Sequence, residues 1–312
     1  MNSQNFESAP ARWAPSRAIV WLSMAIGVLA LACALAGLLW KGTGGPISVT
    51  TLSGQPVELY GRGLYRNDTV FAAGNNRGSD LTMLVIGIPL LAMSVRLYSK
   101  GSLRGRFLLL GTLGFFLYVS ASYALGAVAY NEMFLVYVAL FAACLFAFVL
   151  TFLAFDAETL SRALPEGMPR RWPGGFMVAS GAATFAIWIM EPLAALLAGE
   201  SPESLETRTT LFTTALDIGV IVPAALAAGI LILRRRPFGY VMAFSLLILE
   251  SMLMPMITIA TIAQIREGVS FEPGEIVGPI AGFSVFAVLS LSVITTLLRH
   301  IGKRPAPDAA PA

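Results

Sequence analysis

Eight separate stretches of this chain are apolar for long enough to cross a lipid bilayer, and no other feature limits the fold so strongly. They lie at roughly 18–40, 80–98, 107–129, 133–155, 175–198, 211–233, 238–264 and 277–298. A hydrocarbon core about 30 Å thick needs about 20 such residues of helix. Composition agrees: 56% of residues are hydrophobic and 12% charged, where a soluble domain carries about 25% charged. An ordinary cytosolic enzyme, a disordered chain and a nucleic-acid binder are thereby excluded. The expected fold is all-α, a polytopic transmembrane helix bundle of about eight spans over residues 18–304, whose first partner is the lipid bilayer. Residues 1–17 form an N-terminal arm, and the proline-rich tail 305–312 is expected to stay disordered. The first stretch exceeds the roughly 7–15 apolar residues of a secretory signal, so it is read as a retained span.

Lysines and arginines alternate between the two sets of connections. One set, together with both termini, holds Arg12, Arg17, Arg96, Lys100, Arg104, Arg106, Arg162, Arg170, Arg171, Arg234, Arg235, Arg236, Arg299, Lys303 and Arg304. The other holds Lys41, Arg62, Arg66, Arg77, Arg208 and Arg266, and no basic residue is left deep inside a span. Fifteen against six places both termini in the cytoplasm by the positive-inside bias. Trp13, Trp40 and Trp172 fall where an aromatic belt would put them.

Only one connection is long. Residues 41–79 fall on the outer side, and Ile47 to Leu52 with Val57 to Tyr60, joined by Ser53-Gly54-Gln55-Pro56, predict a short β-hairpin. A structureless loop of that length would be unusual, so a small cap or a functional lid is expected. Spans two and three resemble spans six and seven: an acid at the outer end (Asp80, Asp217), a proline within the helix (Pro89, Pro223), then a short basic connection. A four-plus-four duplication would produce this pattern, and such repeats are common in transporters.

Missing residues exclude several membrane chemistries. Lys41, Lys100 and Lys303 all lie at loops or ends, so no span offers a lysine for a Schiff base. A single histidine, His300, cannot hold a haem between helices or build a zinc site. Cys33 and Cys144 sit singly in apolar runs and read as small hydrophobes. No P-loop, dinucleotide fingerprint or nucleophile elbow occurs. No catalytic set, metal or cofactor is expected.

What the spans do contain is acid. Glu191, Asp217 and Glu250 lie well inside them. Each costs roughly 2.5–3.5 kcal/mol at a helix centre if charged against lipid, so all three must face the bundle interior and be protonated, paired or hydrated. Glu191 and Asp217 lie on neighbouring spans joined by a short connection, which predicts similar depth. Thr210, Thr213, Thr214 and Asp217 recur at helical spacing, Tyr123 shares a face with Ser120 and Tyr130, and Glu250 with Thr258 and Thr261. The pattern predicts a polar cavity open to the outside, with Glu191, Asp217, Glu250, Thr214 and Tyr123 as a proton, cation or substrate site. Neutral acids hydrogen-bonded between helices, or acids paired with arginines of the long connection, would account for the same residues. Arg62, Arg66, Asp68 and Asp80 are that connection's candidates for ion pairs or for an anionic ligand. Gly278 and Gly282 form a GxxxG step, expected to mark close packing of span eight.

The stretches 58–91 and 101–141, which include ELYGRGLYRNDTVFAAGNNRGSD and SASYALGAVAYNEMF, resemble a group of uncharacterised polytopic bacterial membrane proteins. ALDIGVIVPAALAAGILILRRRPFGY (215–240) is similar to the same group, and the resemblance spans about two thirds of the chain. It implies a bacterial inner-membrane location and carries over no activity, substrate or cofactor. Two functions of different classes fit the sequence. One is a small permease or proton- or cation-coupled transporter whose cavity takes a small ion or molecule. The other is a non-enzymatic membrane sensor or partner protein whose outer connection binds a ligand. A membrane enzyme ranks behind both, because no nucleophile or metal set is visible.

Overall fold

The computed structural model describes residues 14–157, 160–161, 164–165 and 167–301. Arg12, Trp13, Arg162, Lys303, Arg304 and the tail 305–312 lie outside the described residues. Within them run eight helices long and apolar enough to span a membrane: α1 (Arg17–Leu39), α2 (Val70–Ser99), α3 (Leu103–Leu125), α4 (Phe134–Leu153), α5 (Arg171–Ala198), α6 (Phe212–Leu233), α7 (Phe238–Arg266) and α8 (Pro273–His300). The chain is a multi-pass integral membrane protein with the all-α bundle its sequence predicts. Local chemistry sets the helix ends. Thr69 Oγ1 accepts from Ala72 N (3.1 Å) to start α2, and Ser102 Oγ accepts from Gly105 N (3.2 Å) to start α3. Gly199, at φ 70°, stops α5.

Span two begins at Val70, ten residues earlier than its hydropathy suggests. Its first segment carries Asn75, Asn76, Arg77, Ser79 and Asp80 and reads as a loop, yet most of it is buried, packed chiefly on α7. Asn76, Ser79 and Asp80 face protein rather than lipid, which hydropathy cannot register. Gly74 and Gly78 make the contact possible: a Cβ on Gly78 would lie 2.7 Å from Ala260 N and Met256 O. The long connection therefore shortens to residues 40–69. It holds the expected hairpin, with β1 (Ile47–Thr50) antiparallel to β2 (Pro56–Leu59), Ile47 opposite Leu59 and Thr50 opposite Pro56. Gly54, at φ 84°, takes the positive-φ place in its turn.

α3 and α7 form the centre of the bundle. In the most apolar window of α3, 67% of residues are buried, against 11% in α5, so α5 lies at the periphery. Phe107 of α3 packs on Phe155 and on Phe244 of α7, with ring centroids 4.9 and 4.8 Å apart.

Charge ties the odd-numbered connections together at the end that carries the hairpin. Arg62 and Arg77 (3.3 Å) both pair with Glu267 beyond α7, and Arg66 makes a two-pronged contact with Glu132 before α4 (3.1 and 2.6 Å). Thr69 Oγ1 donates to Glu206 between α5 and α6, which also receives Arg208 (2.8 and 3.1 Å). At the opposite, basic end, Arg106 donates to Ala154 O, Arg104 to Ile301 O and Tyr240 Oη to Pro169 O. Arg77 and Arg106 thus lie within helices, although the sequence left no basic residue deep inside a span. Both side chains reach partners at the helix ends.

α2 and α6 share a construction at which the sequence spacing only hints. In each, a five-residue π segment, Met83–Gly87 or Asp217–Ile221, precedes a twelve-residue α segment whose second residue is proline, Pro89 or Pro223. Proline removes a donor and crowds the carbonyl four residues back; the wider π turn before it relieves that crowding. In this register Thr214, not Asp217, corresponds to Asp80, so the two acids are not equivalent. The halves also close differently. α1 packs along α4, whereas α5 scarcely touches α8.

Candidate functional site

Six spans enclose a cavity of about 210 Å³ in the hairpin-side half of the bundle. Polar groups reach it from five of them: Asn75, Asn76 and Ser79 of α2, Tyr118, Ser122 and Tyr123 of α3, Thr184 of α5, Thr213 and Asp217 of α6, and Glu250 of α7. Among the described residues, no lysine, arginine or histidine lines it. The Tyr118 hydroxyl donates to Asp217 Oδ2 (3.3 Å), and Ser290 Oγ of α8 donates to Glu250 Oε2 (2.7 Å). Asp217 opens the π segment of α6, so its side chain and the loosened backbone of that turn share one wall. Loosened helical turns of this kind recur at functional sites.

Asp80 lies one layer behind the α2 wall. It is fully buried, and receives the Tyr65 hydroxyl on Oδ2 (2.6 Å). The Tyr123 oxygen lies 3.0 Å from Asp80 Oδ1 and 3.1 Å from Asn76 O. The Tyr123 hydroxyl can donate to either acceptor or be shared between them; a proton on Asp80 Oδ1 would instead let Asp80 donate to Tyr123, and Tyr123 to Asn76 O. Gly37 of α1 makes room for this cluster, since a Cβ there would collide with Asp80 and Tyr65.

Other sequence candidates lie elsewhere. Glu191 is exposed; one turn beyond Trp188, it accepts Ser204 N (2.8 Å) and Ser204 Oγ (2.7 Å) and so anchors the α5–α6 connection. It does not line the cavity that holds Asp217. Thr214 is buried outside the cavity, whereas its neighbour Thr213 lines it. Thr210, Thr258 and Thr261 do not line it, Ser120 is packed away and Tyr130 is 79% exposed beyond the end of α3. Arg62 and Arg66 meet neither Glu191 nor Asp217. Glu267 and Glu132 hold them instead. Gly278 and Gly282 face open space rather than a packed helix; the close GxxxG step of this protein is Gly74–Gly78. Tyr118, Trp188, Asn75 and Ser290 were not singled out in the sequence, although Tyr118 and Ser122 stand four residues apart on one helical face.

Asp68, outside the spans, is 4% exposed and locks the long connection onto the α3–α4 connection. Its Oδ1 accepts Ala129 N (2.7 Å) and its Oδ2 Asn76 Nδ2 (3.4 Å). Burial pushes its carboxyl up to about 7, opposed by the Ala129 N–H and by nearby Arg208. A carboxyl raised in the folded state stabilises most at acid pH, and that contribution is lost as pH rises through about 7. The connection is therefore expected to open more readily at pH 8 than at pH 5.5, as read by hydrogen-exchange protection factors, which divide out the intrinsic rate at each pH, over residues 60–69. Asp68→Asn should remove the difference. An unchanged pH difference in the variant would assign it to another group.

No family model, curated protein or solved structure matches this chain, so geometry and chemistry alone bear on what the cavity does.

Proposed function

We propose that this protein is a small permease, a proton- or cation-coupled carrier of the bacterial inner membrane with both termini in the cytoplasm, and that the cavity holding Asp217 and Glu250 is its site. The observation that carries this reading is electrostatic. Two carboxyl groups from adjacent spans line one cavity, and among the described residues no basic side chain lines it with them. Each must be neutralised by a proton or by a bound cation, because an unpaired carboxylate in a low-dielectric interior is costly. That exchange is the elementary step of a coupled carrier, in which the site alternates between a loaded, neutral form and an empty, charged one. Pro223 and the π segment of α6 place yielding backbone beside the site, as carriers with interrupted helices do.

Dicyclohexylcarbodiimide tests this directly. The reagent is apolar and adds a protonated carboxyl group across its C=N bond. In proteoliposomes, labelling at Asp217 and Glu250, located by mass spectrometry, is expected to rise as pH falls or to be blocked by sodium. Asp217→Asn and Glu250→Gln should each lose their own adduct while eluting as the wild type does. No adduct at either acid, or labelling indifferent to both pH and sodium, would overturn the reading.

A further inference from the structure

The cavity does not end at Glu250. A second space of about 260 Å³ adjoins it between α5 and α8, and both are lined by Thr184, Trp188, Glu250, Leu253 and Phe283. Beyond those shared residues the second space is lined by Ile187, Gly278, Pro279, Gly282 and Phe286, none of them polar at the side chain. It runs along the seam where α5 and α8 scarcely touch, while the corresponding pair, α1 and α4, is closed. A Cβ at Gly278 or Gly282 would meet nothing within 4 Å, so these glycines hold the slot open rather than bring helices together. α5 is peripheral, and Phe185, Ile187 and Met190 are exposed along it. In a membrane, such a seam faces acyl chains.

We propose that this slot is the entry for the carrier's substrate, and that the substrate is an amphiphilic amine: its cationic head meets Glu250 and Asp217, and its apolar body fills the slot past Gly282 and Phe286. Charge complementarity selects the head, since the polar chamber offers carboxyl groups and no cation. The apolar lining selects the body, and Glu250 stands where the two regions meet. An ordinary lipid tail could fill the slot but has no group for Glu250, and a small hydrophilic cation could enter the chamber but has no use for the slot. The inference rests on the carrier reading for its mechanism, though not for its binding chemistry.

Trp188 lines both spaces and supplies the readout. With Trp13, Trp21, Trp40 and Trp172 replaced by phenylalanine, Trp188 is the one remaining tryptophan. In nonionic maltoside micelles, a twelve-carbon alkylamine brominated along its chain should quench Trp188 saturably. The brominated alcohol of equal length should quench at least tenfold less effectively at equal concentration. Glu250→Gln should erase that tenfold preference. Gly282→Leu, whose new side chain enters open space and should leave folding intact, should reduce quenching by both probes. Quenching that is linear, equal for amine and alcohol, and indifferent to Glu250→Gln would show simple partitioning and overturn the proposal. If carbodiimide still labels Asp217 and Glu250 in that case, the amphiphile site fails and the coupled carrier stands. If labelling fails while the amine preference holds, the converse is true.

Discussion

Gly78→Leu is expected to prevent the bundle from assembling. A Cβ at this position would lie 2.7 Å from Ala260 N, 2.7 Å from Met256 O and 2.8 Å from Ala260 Cα. All three are backbone atoms of α7, so no rotamer change relieves the overlap and the helices must separate. α2 packs more extensively on α7 than on any other helix, and Gly74 lies against Gln264 on α7 four residues earlier. Overpacking of a well-fitted core costs about 1–3 kcal/mol, and separation of a whole pair raises that to at least about 3 kcal/mol, a large part of a typical domain's stability. Chromatography in detergent should show loss of the monodisperse species or a sharply lowered melting temperature. Gly278→Leu, at the GxxxG step that faces open space, should behave as the wild type. Equal behaviour of the two variants would mean that the α2–α7 contact is looser than described.

Asp80→Leu should have the next largest effect. Leucine fills a similar volume but leaves the buried Tyr65 hydroxyl with no acceptor, while Tyr123 keeps Asn76 O. Stranding a buried hydroxyl costs about 1–3 kcal/mol, and more where a hydrogen-bonded network is broken. The expected loss is about 2–4 kcal/mol, read as a fall in melting temperature. Asp80→Asn is the informative partner. Its amide oxygen can accept from Tyr65 and its amide N–H can donate to Tyr123, which reproduces the pattern of a neutral acid. It should cost less than about 1 kcal/mol. Should Asp80→Asn prove as damaging as Asp80→Leu, the cluster must hold a charged carboxylate instead of a protonated one.

How far the sequence reached differs from one residue to the next. The spans were legible because about 20 contiguous apolar residues have few other uses, and the hairpin because a Gly-Pro turn between alternating β-formers reads locally. Asp217 and Glu250 line one cavity, as expected of acids in spans that must turn inward. Glu191 met the same rule and still fell outside, since the connection after α5 folds back to supply Ser204. Asp80 was read as the outer edge of span two, when another ten residues of helix precede it. The Gly278–Gly282 step showed the right motif in the wrong place, while Gly74 and Gly78, in a stretch too polar to look like a span, read as turn glycines and lie in helix instead.

By itself the sequence determined that this chain crosses a membrane eight times, which ends are basic, and that the interior must hide uncompensated acid. Each of these follows from solvation free energies that act residue by residue and need no knowledge of neighbours. Tertiary structure decided the rest: which acids share a cavity, that the arginines of the long connection are already engaged, and that α5 and α8 stand apart. Those outcomes depend on which helix faces which, and a side chain's partners across the bundle leave no mark on its own stretch of chain.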